Sequence, residues 1–191
     1  MRTTLTILAC SLTLAACGGS DDKAALDSSA ANASAAGGDT GTAATGMTVA
    51  MRDAAGRDLG TVTLTEAGQS ISLAGMLRGL PPGAHAIHVH TTGRCEPPFE
   101  SAGGHWNPTD RKHGMDNAEG PHLGDMPNLT VAADSSVNVQ ASTAGGTLRG
   151  TNALLDADGA AIVIHAKGDD FRTDPSGNSG DRIACGVVSG S

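Results

Sequence analysis

Apolar and polar residues alternate along short segments from Met47 to the end of the chain. In Met47–Arg52 and Leu59–Thr65 the alternation has the period of two that is typical of a strand with one buried face. Turn sequences separate the segments, and none has the periodicity of a convincing amphipathic helix. The pattern therefore predicts an all-β domain over residues 46–191, a sandwich or flattened barrel. The eight predicted strands are residues 47–52, 59–65, 70–77, 83–90, 128–132, 136–142, 160–165 and 182–188.

Two long polar stretches interrupt this alternation, at about residues 91–128 and at Lys167–Asp181. Compact domains rarely carry structureless loops of such length unless the loops are functional. The first stretch has few apolar residues, so it needs another source of order. Metal ligands and a crosslink would supply that order.

The first 17 residues have the layout of a secretory signal: Arg2, an apolar run and then small residues. The end of this segment, Leu14-Ala15-Ala16-Cys17, resembles a bacterial lipobox, in which Cys17 becomes the lipidated first residue. The alternative is an ordinary signal peptide that is cut nearby, with Cys17 incidental. Gly18 stands where Asp would favour the inner membrane. We therefore expect a lipid anchor on the periplasmic side of a bacterial membrane, with the outer membrane favoured.

Residues 18–45 consist almost entirely of Gly, Ser, Ala, Asp, Asn and Thr and have no apolar periodicity. Such a segment cannot bury enough surface to offset its conformational entropy, so we expect a flexible tether.

Composition narrows the functional class. The formal net charge is −8 with histidine neutral, and there is no basic stripe that could neutralise phosphates, so a nucleic-acid partner is not expected. Aromatic residues make up only 2% of the chain, which suits a β domain with a core of small aliphatic side chains.

His88 and His90 form a His-x-His pair in an extended segment, so both side chains point to the same face. Imidazoles are ligands for zinc and copper, and the pair therefore predicts half of a metal site. His85 would point to the opposite face and is interpreted as a structural hydrogen-bonding residue. The other candidate ligands are His105, His113, His122, Asp125 and His165.

Six histidines and one aspartate make seven ligands, one fewer than two separate four-coordinate sites need. A bridging imidazole would complete the count, because two cations together can hold an imidazole that has lost both protons. The set then divides into an all-nitrogen site, which suits Cu(II), and a site of three histidines and Asp125, which suits zinc.

Cys95 and Cys185 are the two cysteines of the predicted domain. An exported protein permits a disulfide, and a bridge would pin the first long stretch to the last strand. Two free buried thiols are the alternative.

Residues 47–191 resemble a Cu,Zn superoxide dismutase, and the order and spacing of the motifs match across nearly the whole domain. The motifs that carry the resemblance are residues 83–90 (GAHAIHVH), 104–108 (GHWNP), 112–114 (KHG), 120–125 (GPHLGD), 164–170 (IHAKGDD) and 177–186 (GNSGDRIACG).

The resemblance implies an eight-stranded, Greek-key, immunoglobulin-like barrel with two long functional loops. It implies an antioxidant oxidoreductase that converts superoxide to oxygen and hydrogen peroxide while copper cycles between Cu(II) and Cu(I) and zinc is structural. The implied copper ligands are His88, His90, His105 and His165, and the implied zinc ligands are His105, His113, His122 and Asp125.

Four further roles follow from the resemblance. Cys95 and Cys185 would form the internal disulfide, and Asp169 would hydrogen-bond one copper histidine and one zinc histidine. His105 and Arg182 would be catalytic, the first as the bridge and the second as the cation beside copper. Asp170 is interpreted as a solvated neighbour of Asp169.

Arg182 would attract a small anion to a protein that is acidic overall, and Lys167 would help it. The second loop departs from animal relatives at residues 171–176, which leaves the pattern of charges around the substrate open. A lipid-anchored protein for copper and zinc buffering or delivery is the alternative function, but it would need neither a bridging His105 nor Arg182. Bacterial and animal relatives form homodimers through different surfaces and some relatives are monomers, so the sequence leaves both a homodimer and a monomer open.

Overall fold

The computed structural model describes residues 46–190. The predicted signal sequence, Cys17 and the tether lie outside the described residues. The part that is described contains no helix of the length and hydrophobicity that a membrane crossing requires. Its strands are β1 Met47–Asp53, β2 Asp58–Ala67, β3 Ser70–Arg78, β4 Gly83–His85, β5 Ile87–His90, β6 Leu129–Val131, β7 Ser136–Ser142, β8 Ala160–His165 and β9 Arg182–Val188.

All the paired strands are antiparallel and form a curled sheet. Seven strands lie in the order β5-β8-β9-β1-β2-β3-β7, and β4 pairs with β6 in a second, small sheet. Both edges of the large sheet lead into the small one, because β4 runs directly into β5 and a tight turn joins β6 to β7. The prediction of an all-β barrel or sandwich with two long loops is confirmed.

The apolar residues that alternate along the predicted strands form the hydrophobic core. Leu64, Ile71, Leu73 and Val139 point inward from β2, β3 and β7 and are fully or almost fully buried. In contrast, β5 and β8 are buried at every residue, so both of their faces are covered. The second cover comes from the long loops, and this is where the histidines lie.

The predicted strand 83–90 is divided in two at Ala86. Before Ala86 the chain pairs with β6, and after it the chain pairs with β8. The Ala86 N–H donates to the Lys167 carbonyl at 2.8 Å, and its carbonyl accepts the His165 N–H at 2.9 Å. The strand therefore changes partner at this residue, and nine strands replace the eight that were predicted.

Candidate metal centre

Three histidines are placed by strands β5 and β8. His88 lies opposite Val163, and His90 lies opposite Ala161. Because side chains alternate with a period of two, His165 at the end of β8 shares the face of both. The local sequence of β5 and the antiparallel register thus bring His165 close to His88 and His90, although His165 lies at least 75 residues further along the chain.

The first long loop, residues 91–128, brings the other ligands by pairing with the edge of β5. The Val89 N–H donates to the Gly124 carbonyl at 3.0 Å, and the Val89 carbonyl accepts the Trp106 N–H at 2.8 Å. His105 and Asp125 adjoin these residues, so they come to lie beside β5. A side chain at Gly124 would collide with the Val89 carbonyl, so glycine is required for the approach.

The first cluster, which we call the all-histidine cluster, consists of His88, His90, His105 and His165. One ring nitrogen from each lies within 4.8 Å of the others. Among the described residues, four buried side-chain polar atoms have no hydrogen-bond partner: His88 Nδ1, His90 Nε2, His105 Nε2 and His165 Nε2. Buried polar atoms are nearly always paired, so four nitrogens without a protein partner, all in one cluster, fit the binding of a cation.

The other ring nitrogen of each histidine faces an oxygen. His90 Nδ1 lies 2.9 Å from the Gly103 carbonyl, and His165 Nδ1 lies 3.1 Å from the Gly180 carbonyl. A ring that donates one N–H in this way presents a bare nitrogen on its other side. The fixed tautomers therefore aim four lone pairs into one space.

Burial also keeps three members of this cluster, His90, His105 and His165, neutral. Desolvation lowers the pKa of His165 to about 3 and that of His105 to about 4, and it lowers the pKa of His90 well below its usual value. A neutral imidazole is the form that binds metal. A donor set of four imidazole nitrogens suits copper.

The second cluster, the mixed cluster, consists of His105, His113, His122 and Asp125. The Nδ1 atoms of the three histidines lie 2.9, 3.1 and 3.4 Å from Asp125 Oδ1. Asp125 Oδ2 accepts the N–H groups of Gly114 and His122 at 2.9 and 3.0 Å. Three imidazole nitrogens and a carboxylate oxygen are the donor set that zinc prefers.

The buried negative charge of Asp125 also favours a cation in the mixed cluster. Burial raises the pKa of Asp125, but hydrogen bonds from the three imidazoles outweigh it and hold the pKa well below its usual value. Burial lowers the pKa of His113, but hydrogen bonds to Asp125 and Asp169 outweigh it and raise the pKa to about 9. A proton on His113 therefore supplies the positive charge that a metal ion would bring in its place.

A ligand atom of His88 also lies within 4.8 Å of ligand atoms of His105, His113 and Asp125. The centroids of the His88 and His105 rings are 3.9 Å apart. His88 is nevertheless a poor member of the mixed cluster. Its Nε2 faces Asp169 at 2.8 Å, and its Nδ1 faces the all-histidine cluster. His122 Nδ1, in contrast, lies 3.4 Å from both His105 Nδ1 and Asp125 Oδ1.

Asp169 joins the two clusters. Its Oδ2 lies 2.8 Å from His88 Nε2, and its Oδ1 lies 3.0 Å from His113 Nε2. Asn128 clamps the Asp169 backbone by accepting its N–H at 2.8 Å and donating to its carbonyl at 2.9 Å. The carboxylate thus fixes the ring orientation of one histidine in each cluster.

Arg182 begins β9 opposite His165. Its guanidinium donates to the carbonyls of Phe99 and Gly103 at 2.7 and 2.8 Å. Burial lowers its pKa and the nearby Glu100 opposes this, but a guanidinium stays charged in proteins. A fixed positive charge therefore lies beside the all-histidine cluster.

Cys95 and Cys185 form a disulfide with a Cα–Cα distance of 5.7 Å, so the predicted bridge is confirmed. The bridge ties the start of the first loop to β9. His85 lies outside both clusters. Its Nδ1 and Nε2 are each 2.8 Å from a backbone carbonyl oxygen, those of His165 and Pro81.

Sequence reasoning missed the roles of four residues around the clusters: Asn128, Asp170, Asp174 and Gly177. Asp170 is exposed, as expected, but it also accepts hydrogen bonds from Arg172, Thr173 and Asn178, so it orders the second loop. A side chain at Gly177 would collide with the Asp169 carboxylate. The Asp-x-x-Thr spacing of Asp170 and Thr173 is the one signal in the sequence that indicates such a turn.

Together, the curled antiparallel sheet and the two clusters that share one imidazole define a protein with paired metal sites. The family model of copper/zinc superoxide dismutase (SODC) matches residues 59–188. The chain therefore belongs to the copper/zinc superoxide dismutase family, and the predicted family is confirmed.

Individual relatives agree with this assignment. The chain is 46% identical over 129 residues to superoxide dismutase [Cu-Zn] 2 of Aquifex aeolicus, a match that covers 65% of this chain and 75% of the relative. It is 43% identical over 132 residues to superoxide dismutase [Cu-Zn] of Caulobacter vibrioides, with 66% and 76% covered.

Two solved structures show the same fold. A SOD-like protein from Bacillus subtilis has a TM-score of 0.71 and 36% identity, with 75% of this chain and 99% of that chain covered. The Cu/Zn superoxide dismutase from Brucella abortus has a TM-score of 0.61 and 28% identity, with 75% and 99% covered. The first of these proteins is named only as similar to the enzyme, and the second is named as the enzyme itself.

Proposed function

We propose that the chain dismutates superoxide, so that two superoxide anions and two protons give one oxygen and one hydrogen peroxide. The observation that carries the proposal is the set of four unpartnered, buried ring nitrogens beside Arg182. Copper would be held by the all-histidine cluster and zinc by the mixed cluster. When bound, copper supplies one-electron oxidation and reduction, and zinc supplies a redox-inactive charge that holds the site in shape.

His105 has the central role, because it faces both clusters. Its Nδ1 lies 2.9 Å from Asp125, and its unpartnered Nε2 belongs to the all-histidine cluster. With Nδ1 held, Nε2 is the atom on which a proton can be kept and then passed to the second superoxide.

Arg182 binds and orients the anionic substrate. The protein carries a formal net charge of −8, so a local positive field must overcome the repulsion of an anion. Two backbone carbonyls fix the guanidinium, and a charge fixed in this way needs no reorganisation when superoxide arrives. A protein that only stored or delivered metal would need no such residue beside the all-histidine cluster.

Metal content and superoxide decay, measured on the same sample, test the proposal. We expect one copper and one zinc per chain, with rapid decay of superoxide. Metal-free protein, and protein loaded with zinc alone, are the controls and should be inactive. Stoichiometric copper and zinc without catalysis would contradict the proposal and favour metal buffering.

We further propose that Cys17 carries a lipid and that the enzyme faces the periplasm. The signal-like residues 1–17 and the lipobox-like ending support this, and a disulfide suits an oxidising compartment. Cys17→Ser should move the protein from the membrane to the soluble fraction of a bacterial host. An unchanged membrane fraction would contradict the anchor. A homodimer is compatible with the fold, and light scattering at several protein concentrations would test it.

A further inference from the structure

Besides the contacts of Asp169 with Asn128 and His113, the two long loops contact each other along a short seam. The Asp116 N–H donates to the Phe171 carbonyl at 3.0 Å, and Asn117 Nδ2 donates to the Arg172 carbonyl at 3.5 Å. Arg172 also pairs with Asp116 at 3.6 Å. Residues 112–117 of the first loop therefore lie against residues 171–174 of the second.

Asp174 is the residue by which the second-loop side of this seam approaches the mixed cluster. Its Oδ1 accepts the backbone N–H of His113 at 2.7 Å and lies 3.9 Å from His122 Nε2. Its Oδ2 lies 3.7 Å from Lys112 Nζ.

Asp174 differs from the other carboxylates near the mixed cluster because it faces the outer ring nitrogen of His122, Nε2. Histidines that bind metals donate their outer N–H to a carboxylate, a carbonyl or water, which fixes the tautomer of the ring. His113 Nε2 has Asp169 at 3.0 Å. In residues 46–190, Asp174 is the only carboxylate within 4 Å of His122 Nε2. At 3.9 Å the contact is electrostatic, and one water can complete it as a hydrogen bond.

We propose that Asp174 is a positioning residue for the zinc site: one of its oxygens holds the backbone of His113 and directs the outer nitrogen of His122. Carboxylates of the second loop thus orient two of the three imidazoles in the mixed cluster: Asp169 orients His113, and Asp174 orients His122. The inference rests on the zinc assignment proposed above. It adds a residue of the second loop to a site whose ligands all come from the first.

The test measures zinc affinity, which is independent of enzyme activity. Zn²⁺ is added to the metal-free protein in competition with a chromophoric chelator. Asp174→Ala should weaken zinc binding about 10- to 100-fold, the usual effect of losing an outer partner of a ligand. Asp174→Asn keeps an oxygen for the His113 N–H but loses the charge facing His122, so its affinity should lie between that of Asp174→Ala and that of the wild type.

Asp116→Ala is the matched control, because Asp116 is also an exposed carboxylate of the seam but pairs only with Arg172. Its zinc affinity should stay within about twofold of the wild type. A second measurement replaces zinc with Co²⁺, whose visible bands report ligand geometry. The bands should shift in Asp174→Ala and Asp174→Asn but not in Asp116→Ala.

Zinc affinity of Asp174→Ala within twofold of the wild type would overturn the inference. An equal loss in Asp116→Ala would also overturn it, because any tether between the loops would then suffice. If wild-type protein binds zinc tightly but leaves superoxide untouched, the proposed function fails, and the comparison of Asp174 variants still decides this inference. A wild-type chain that does not bind zinc would overturn both.

Discussion

His90 and Arg182 share one acceptor, the carbonyl oxygen of Gly103, at 2.9 and 2.8 Å respectively. A residue of the first loop thus sets both the tautomer of a copper-facing histidine and the position of the substrate cation. The distance between the redox site and the charge that attracts the anion is therefore fixed by backbone, which is stiffer than a side-chain contact.

Arg182→Ile should lower the rate of superoxide decay about tenfold at low salt and flatten its dependence on ionic strength, because the local attraction is lost. Copper content should not change, because Arg182 supplies no ligand. Arg78→Ile is the control: it removes the same charge from an exposed residue at the end of β3, a strand that pairs with neither β8 nor β9. Equal effects of the two substitutions would mean that net charge, and not Arg182, attracts the substrate.

His88→Ala should abolish copper-dependent activity and leave much of the zinc in place, because His88 contributes its free Nδ1 to the all-histidine cluster alone. His113→Ala should have the opposite preference and release zinc first. Metal analysis after dialysis against a weak chelator measures both. Loss of both metals to the same extent in each variant would show that the clusters do not form separately.

Gly124→Ala should weaken the binding of both metals and lower the melting temperature. A Cβ there would strike the Val89 carbonyl and lie close to Trp106, so the loop would move away from β5 with His105 and Asp125. Gly104→Ala is a close control, because it adjoins His105 and no atom lies within 4 Å of its added Cβ. Thermal denaturation and metal titration of the two variants should therefore differ clearly. Similar behaviour would contradict the role given to the Gly124 approach.

Replacing Cys95 and Cys185 together with alanine should lower the free energy of unfolding by up to about 4–5 kcal/mol, the chain-entropy limit for a closure of this size. The rate of superoxide decay should also fall. Cys95 anchors the segment whose Phe99 and Gly103 carbonyls hold the Arg182 guanidinium. Denaturant titration measures the first effect and superoxide decay the second. Stability within about 1 kcal/mol of the wild type would show that the loop is held by other contacts.

The sequence alone predicts what depends on local periodicity and on ligand chemistry. The shared face of His88 and His90 follows from the strand period, and the ligand count predicts a shared imidazole. The sequence could not predict the role of Asp174, because this residue lies 61 residues from His113, whose backbone N–H donates to it. It also missed the change of strand partner at Ala86, because pairing with β6 and then with β8 depends on how the sheet closes.

The pairing of the first loop with β5 has a consequence for the metal-free protein. Unpaired strand edges are templates for pairing with other chains, and natural proteins cover them. Here the cover of one edge is made by the residues next to His105 and Asp125, which belong to the mixed cluster. We therefore expect loss of metal to loosen this cover of the β5 edge and to make the protein more prone to aggregation.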